Sequence, residues 1–354
     1  MSQSPVVRAI DIGYGNTKFV TSHPPGGEIE TGLFPSVAPQ KHPSADLAGG
    51  VLERRRTVLV KIGQVTYEVG TDASLAQDAS HGRTLDASFA RSDTYLALLR
   101  GALYYMGSPA IDLLVLGLPV NTYAQHARYL STAMVGEHVI PNSRARLLPD
   151  EAPEIAVTVK AVRVFPQPLG GFFDHAIRSG LARSMRVQTN LLIDPGFFTL
   201  DWLVTKGTKP MDARSGAHPG GMSAILRGIA EALARDLGKS VVDIGRLDEA
   251  LLKGIKPRYY GKDRDISAYL PSAKSKIREY VSVLANKVGA ADDIDNIIVG
   301  GGGAHFFLDA IKEKFPEQEI TVSKDPVFAN VRGFQLAGEE MIRIANAAAK
   351  PAAA

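Results

Sequence analysis

One strand-turn-strand unit occurs twice in this chain and limits what it can fold into more than any other feature. Residues 6–12 are a β-branched run that ends in Asp11-Ile-Gly-Tyr-Gly15, and residues 16–21 resume the strand pattern. Residues 191–193 are a second apolar run, broken at Asp194-Pro-Gly196 and resumed over 198–204. Each predicts a β-hairpin closed by a tight glycine turn. Two copies of one architecture so far apart predict two related halves. The 354 residues, 45% of them hydrophobic, suffice for two domains with separate cores. A third turn, Gly300-Gly-Gly-Gly-Ala304, follows the apolar strand 297–299.

The stretches between these landmarks set the expected organisation. Residues 31–92 are broken by Pro35, Pro39, Pro43, Gly49 and Gly50 and carry a basic cluster, Arg54 to Arg56, with short strands near 57–62 and 65–69. They read as an insertion on the first domain. Residues 93–105 have helical apolar spacing and 112–117 form a continuous apolar strand, an order that predicts α/β packing. A β-branched run at 157–165 leads into Pro166-Gln-Pro-Leu-Gly-Gly171 and a helical segment over 172–184, where the passage between domains is expected. Amphipathic helices at 222–237 and 273–288 lie in a mostly helical insertion of about 210–288, a further helix covers 306–315, and the last helix starts near Asn330. The expected division is therefore a first domain of residues 1–165, completed by a C-terminal helix 330–354, and a second of residues 166–329.

Composition removes several classes. Cysteine is absent, which excludes disulfide frameworks, thiolate nucleophiles and Cys-ligated zinc, and is compatible with a reducing cytoplasm. A net charge of +3 does not predict bulk attraction to nucleic acid, so any DNA contact is expected to be local or indirect. The first apolar run reaches Asp11 too soon for a signal peptide. No stretch approaches the ~20 apolar residues of a membrane span, and a soluble, cytoplasmic protein without membrane contact is expected. Residues 347–354 have little to bury and are expected to fray. His175 and His305 lack ligand-spaced partners and read as structural. Arg54 to Arg56, without interleaved aromatics, reads as a solvated loop.

Taken singly, each glycine turn has two readings, a cheap positive φ or a backbone grip on phosphate. Taken together, two Asp-x-Gly turns, one in each half, can face each other across a cleft and hold phosphates from both sides. Asp11 and Asp194 then stand where a bridging metal needs carboxylates.

Three such turns in this order resemble the signature of the actin, heat-shock chaperone and sugar kinase ATPase superfamily. The resemblance implies an α/β, two-domain actin-like (ribonuclease H-like) fold with an interdomain nucleotide cleft, and ATP with Mg²⁺ as cofactors. By the same resemblance Asp11 and Asp194 hold the metal through water, while Gly13, Tyr14, Gly15, Asn16 and Lys18 line the phosphates. Gly196 and Thr199 approach the γ-phosphate, and Gly301, Gly302 and Gly303 pack on base and ribose. Pro195, Phe197 and Phe198 depart from the superfamily pattern, because small or hydroxylated residues are common there and supply more donors. Gln167 stands at the connector where the superfamily places a Gln or Glu that orients the attacking water; the alternative is a polar residue ordering a Pro-rich turn. The segment Arg214-Ser-Gly-Ala-His-Pro-Gly-Gly221 is either one wall of the adenine pocket or a loop before the 222 helix. Asp325-Pro-Val-Phe-Ala-Asn-Val-Arg-Gly333 resembles the Pro-x-x-Ala-Asn-x-x-Gly segment of the ParM/StbA plasmid-segregating filament proteins, where it opens the second interdomain helix. Without that resemblance, Asp325-Pro326 is a turn and Asn330 caps or begins a helix. Both insertions stay unmatched.

The resemblance implies an ATPase whose nucleotide state controls assembly into a head-to-tail filament, a homo-oligomer that moves plasmid DNA through a DNA-binding adaptor of ParR type. A metabolic sugar or acid kinase of the same superfamily is the alternative, and would need a general-base aspartate that no segment nominates. A chaperone would need a peptide-binding domain after the ATPase, for which residues 330–354 give no room. A Rossmann dehydrogenase would need a G-x-G-x-x-G spacing that residues 300–303 lack.

Overall fold

The computed structural model describes residues 4–41, 53–77, 86–146, 151–240 and 242–349. Pro43, Gly49, Gly50 and the 350–354 part of the expected tail lie outside the described residues. By packing, the chain forms two units, Met1–Ala182 with Val327–Ala354, and Arg183–Pro326.

The first unit opens with β1 (Val7–Ile12), β2 (Asn16–Ser22), β3 (Glu30–Pro35), β4 (Thr57–Ile62) and β5 (Val65–Gly70). It continues with α1 (Asp93–Met106), β6 (Ala110–Ile111), β7 (Leu113–Leu118), α2 (Val120–Ala133), β8 (Gly136–Pro141), β9 (Glu154–Val159), β10 (Val162–Pro166) and α3 (Gln167–Arg178). Its main sheet has the order β10-β7-β1-β2-β3. β1 runs antiparallel to β2 and parallel to β7, which runs parallel to β10. All of β7 is buried, as a continuous apolar run in a parallel neighbourhood requires. Ser92 caps α1 by accepting from the Tyr95 amide, and the helix stops at Gly107 in the left-handed region.

Three expectations are corrected here. Residues 30–35 are not insertion but the edge strand of the main sheet, paired to β2. The run 157–165 is not one strand, because β9 joins a separate sheet of order β6-β9-β8 while β10 joins the main one. The helix expected from 172 begins at Gln167, five positions earlier. Its Pro168 is tolerated because amides of the first turn have no intrahelical partner to lose.

The second unit contains α4 (Ala182–Met185), whose first residue closes the first unit, β11 (Thr189–Pro195), β12 (Leu200–Lys206), β13 (Lys209–Pro210), β14 (Gly216–His218), α5 (Met222–Asp236) and α6 (Ile244–Lys253). A small pair, β15 (Arg258–Tyr259) and β16 (Lys262–Asp263), precedes α7 (Leu270–Val288), β17 (Asn296–Val299), α8 (Ala304–Lys314) and β18 (Ile320–Val322). The sheet order is β13-β12-β11-β17-β18, with β14 added to β12. Leu191, Ile193, Trp202 and Val204 bury against Leu226 and Ile229 of α5, Val281 and Leu284 of α7, and Phe307 of α8. In both units the first strand of an acidic hairpin pairs antiparallel with its own return strand and parallel with a later strand. That is the repetition the two Asp-x-Gly runs predict.

The last helix, α9 (Ala329–Ala349), belongs to the first unit and packs along α3. This packing carries the first unit to residue 182 instead of 165. The two helices approach so closely that a Cβ at Gly333 would lie 1.8 Å from the Gly170 carbonyl oxygen, and a Cβ at Gly170 would lie 2.4 Å from that of Asn330. Asn330 accepts from the Gly171 amide at 3.2 Å, and Arg332 grips Asp174 through two bonds of 2.9 and 2.8 Å. The Asn-x-x-Gly pattern is thus an account of how α9 can touch α3. Gly333→Ala is expected to force the helices apart and cost about 1–3 kcal/mol; an unchanged denaturation midpoint would contradict that contact.

Candidate functional site

In the first unit the site grows from the end of β1. Asp11 pairs across the hairpin with Lys18, and strand alternation puts both side chains on one face. Lys18 Nζ donates to Asp11 Oδ2 at 2.9 Å, while Gln167 Nε2 donates to Asp11 Oδ1 at 2.7 Å from the first turn of α3. Asp11 is fully buried, and Lys18 retains only 14% exposure. Three residues from three elements, 156 positions apart at the extreme, therefore meet on one carboxylate. A charge-assisted pair is what such burial demands, since an isolated carboxylate would be held at high cost. Close by, the Tyr95 hydroxyl resists ionisation, by burial first and by the negative charge of Asp11 second.

Gln167 has its place because Gly117 lacks a side chain. A Cβ there would lie 2.5 Å from Phe334 Cε2 and 3.1 Å from Gln167 Cγ. The turn itself is closed by the Gly13 amide donating to the Asn16 carbonyl, while the Gly15 carbonyl accepts from Ser36. Thr17 and Ser36 share a hydroxyl bond of 2.9 Å beneath it. Tyr14 stacks on Phe89 and donates to the Asp86 carbonyl.

In the second unit Asp194, one residue before the end of β11, lies opposite Asp201 of β12, and the Gly196 amide closes the turn onto Thr199 O at 2.8 Å. Asp194 and Thr199 are both buried. The Thr199 hydroxyl donates to the Asp201 carboxylate. The parallel pairing of β11 with β17 brings the third turn alongside: Gly300 N donates to Ile193 O and Gly303 N to Pro195 O. Gly301 has φ +77°, and a Cβ on it would fall 2.1 Å from Asp194 Oδ1. Gly302 has nothing within 4 Å of such a Cβ. The first amides of α5 are occupied by the turn, Met222 N on Gly196 O and Ser223 N on Phe197 O.

Each unit thus assembles its own set: Asp11, Gly13, Tyr14, Gly15, Asn16, Lys18 and Gln167 in the first, and Asp194, Gly196, Thr199 and Gly301 to Gly303 in the second. Asp201, Gly117 and Phe89 were not among the expected residues. Hairpin register would have pointed to Asp201, and the break in the apolar run 113–118 to Gly117; Phe89 carries no local signal.

Among the described residues no group of three or more His, Cys, Asp or Glu could hold a metal. A buried carboxylate at the first turn, Asp11, and two at the second, Asp194 and Asp201, fit Mg²⁺ bound mainly by water and phosphate oxygens better than a cage made of protein alone. Burial pushes His175 below the usual histidine range against the pull of Asp174, so it stays neutral near pH 7. Arg55 is spent on Glu68 and Arg56 on Asp72. Arg214 is spent on Asp293 and on the carbonyls of Val288 and Ala290, bracing the start of the 214–221 segment. Among the described residues no helix is long and apolar enough to cross a membrane.

The family description "Actin like proteins N terminal domain" matches residues 9–170, and "Archaeal actin homologue MreB-like, C-terminal" matches residues 192–313. No curated protein matches the sequence. Among solved structures, a 15-stranded ParM filament from Clostridium botulinum is similar at TM-score 0.73 and 20% identity, over 96% of this chain and 100% of that one. A non-polymerisable quadruple mutant of pCBH ParM gives 0.71 and 19%, over 95% and 100%. The archaeal actin homolog Ta0583 in complex with ADP gives 0.70 and 20%, over 95% and 99%. At these identities the structural likeness establishes the fold.

Proposed function

The chain belongs to the actin-like proteins, and on that premise we propose that it binds and hydrolyses Mg-ATP and polymerises into a filament that segregates plasmid DNA. The observation that carries this reading is the triad on Asp11, with Lys18 on one oxygen and Gln167 on the other. Such a carboxylate has little reason to be buried at a hairpin corner unless its charge is used there. On this reading the Asp11 turn of the first unit and the Asp194 turn of the second would each offer backbone amides to phosphate, and the glycines at 301–303 would take base and ribose. Asp11 and Asp194 would hold Mg²⁺ through water, and the ion would supply neutralisation of phosphate charge.

The residues divide the work as follows. Lys18 offsets phosphate charge as an ammonium that needs only to shift from Asp11. Gln167, with Nε2 committed to Asp11, presents Oε1 as the acceptor end of its carboxamide and orients the attacking water. Loss of the γ-phosphate on hydrolysis would change what each turn has to hold. Nucleotide state then biases assembly. The filament reading is supported by the ParM structures that share this fold. Head-to-tail self-assembly, a ParR-type adaptor as the only link to DNA, and a cytoplasmic setting complete the proposal.

The test is to mix purified protein with Mg-ATP and follow light scattering together with phosphate release. Scattering that requires ATP and decays as phosphate accumulates supports the filament; ADP formed without free phosphate, and only when a small hydroxylated acceptor is present to take the phosphoryl group, supports a kinase instead. Gln167→Ala is expected to slow hydrolysis on the order of a hundredfold, with nucleotide affinity nearly kept and filaments longer-lived. Turnover at the normal rate would remove Gln167 from the chemistry.

A further inference from the structure

The Asp11 triad explains Lys18 and Gln167, but not why Tyr14, in the same turn, packs on residues 86–91. Tyr14 stacks on Phe89 at 5.3 Å between ring centroids and 28° between planes, and its hydroxyl donates to the Asp86 carbonyl at 3.0 Å. Phe89 in turn sets its edge against the buried ring of Tyr95 at 5.7 Å. The segment is fixed at its far side by α2. His126, 1% exposed, contacts the Ala87 carbonyl through Nε2 at 2.7 Å, and its Nδ1 receives Arg91 Nε at 3.2 Å. Arg91 also lies 4.4 Å over the Tyr129 ring, one helical turn along α2.

These contacts determine the imidazole's state. A guanidinium only donates, so Nδ1 is an acceptor and the proton is on Nε2, which donates to Ala87. His126 is then a two-sided clamp that gives one bond to the segment's backbone and takes one from its side chain. Thr122, His126 and Leu130 are the buried residues of α2, spaced four apart. The helix therefore buries its histidine on this face, beside the partly buried Tyr123, Ala127 and Tyr129.

We propose that His126 is a positioning residue for the first phosphate turn: by clamping residues 87–91 it holds Phe89 and the Asp86 carbonyl where they seat Tyr14. The backbone amides of residues 13–16 are thereby kept in register for phosphate. The inference rests on the nucleotide reading above. It adds that the turn's shape is set from α2, not by the hairpin alone.

The experiment is a double-mutant cycle on Mg-ATP affinity, with thermal melting measured in parallel. His126→Ala in the wild-type background is expected to raise the Kd on the order of fivefold. In a Tyr14→Leu background the same change is expected to add little, because the turn is already released. His126→Gln, which can still donate to the Ala87 carbonyl, is expected to recover most of the affinity, and Phe89→Leu to reproduce the loss from the other side of the stack. Equal factors in both backgrounds, or a lowered melting point with unchanged Kd, would overturn the positioning role. If His126→Ala does not fold, the Phe89→Leu and Tyr14→Leu pair decides by the same comparison. Wild-type protein that fails to bind Mg-ATP overturns the nucleotide reading and this inference with it; normal wild-type binding with independent factors overturns this inference alone.

Discussion

Asp11→Asn is expected to fold and yet to lose Mg-ATP hydrolysis on the order of a hundredfold or more. The asparagine keeps the shape of the side chain and its Oδ1 still accepts from Gln167, while its Nδ2 amide takes the place of the oxygen that accepts from Lys18, setting donor against donor there. What it loses is the charge that faces Lys18 and that a hydrated Mg²⁺ requires. Asp11→Ala confounds the two effects, because both Lys18 and Gln167 then lack their acceptor. Asp194→Ala is expected to lose most of the activity as well, and its proximity to Gly301 means that the third turn also feels it. The measurement is phosphate release at saturating ATP, with circular dichroism as the folding control. Near-normal turnover by Asp11→Asn would leave the nucleotide reading without its central group.

The second large effect is on stability. Arg332→Leu is expected to lower the stability of the first unit by about 3–5 kcal/mol, since it strands the Asp174 carboxylate in the α3–α9 contact. The two side chains are 6% and 3% exposed, so water cannot replace the lost partner. Arg178, 3.9 Å away on the same helix, is too distant for a direct hydrogen bond. The expected fall in Tm is roughly 10 °C for a unit of this size. The double variant Asp174→Leu, Arg332→Leu is expected to recover much of the loss, because no charge is then buried alone. A single variant that melts like wild type would show that the pair contributes nothing net.

Much of the fold follows local patterns. The strand at 113–118 is apolar throughout, that at 189–195 is centred on the apolar run Leu191 to Ile193, and α5, α7 and α8 carry helical periodicity, so their boundaries agree with the sequence to within a few residues. α2 was not legible. Its fully buried positions are Thr122, His126 and Leu130, two of them polar, while Tyr123, Ala127 and Tyr129 are only partly buried against the core. β3 was also missed as core, because Pro35 and the glycine-rich context suggest a loop while pairing with β2 overrides them. Arg54 to Arg56 looked like a solvated run, yet Arg55 and Arg56 bind Glu68 and Asp72. Burial alone would push Glu68 up, but bonds from Arg55 and Thr57 outweigh that and hold it below the ordinary glutamate range.

The same division holds at the candidate site. Asp11, Asp194 and the glycine turns are chemical and local: an acid before a glycine at the end of an apolar strand can be read from a few adjacent letters, because strand period and turn sterics act over that range. The actin-like identity was legible for the same reason, as three such turns in order. Gln167 could be nominated from its neighbours, but only packing brings it to Asp11, through the absent side chain of Gly117 and the helix that starts at residue 167. The roles of Phe89, His126 and Asp201 depend on contacts across the hairpin register or between separate elements, and no local pattern encodes those. Sequence alone determined which residues can bear charge at a tight turn. Tertiary structure decided which side chains share that charge, because hydrogen bonds and burial depend on distance in space and not along the chain.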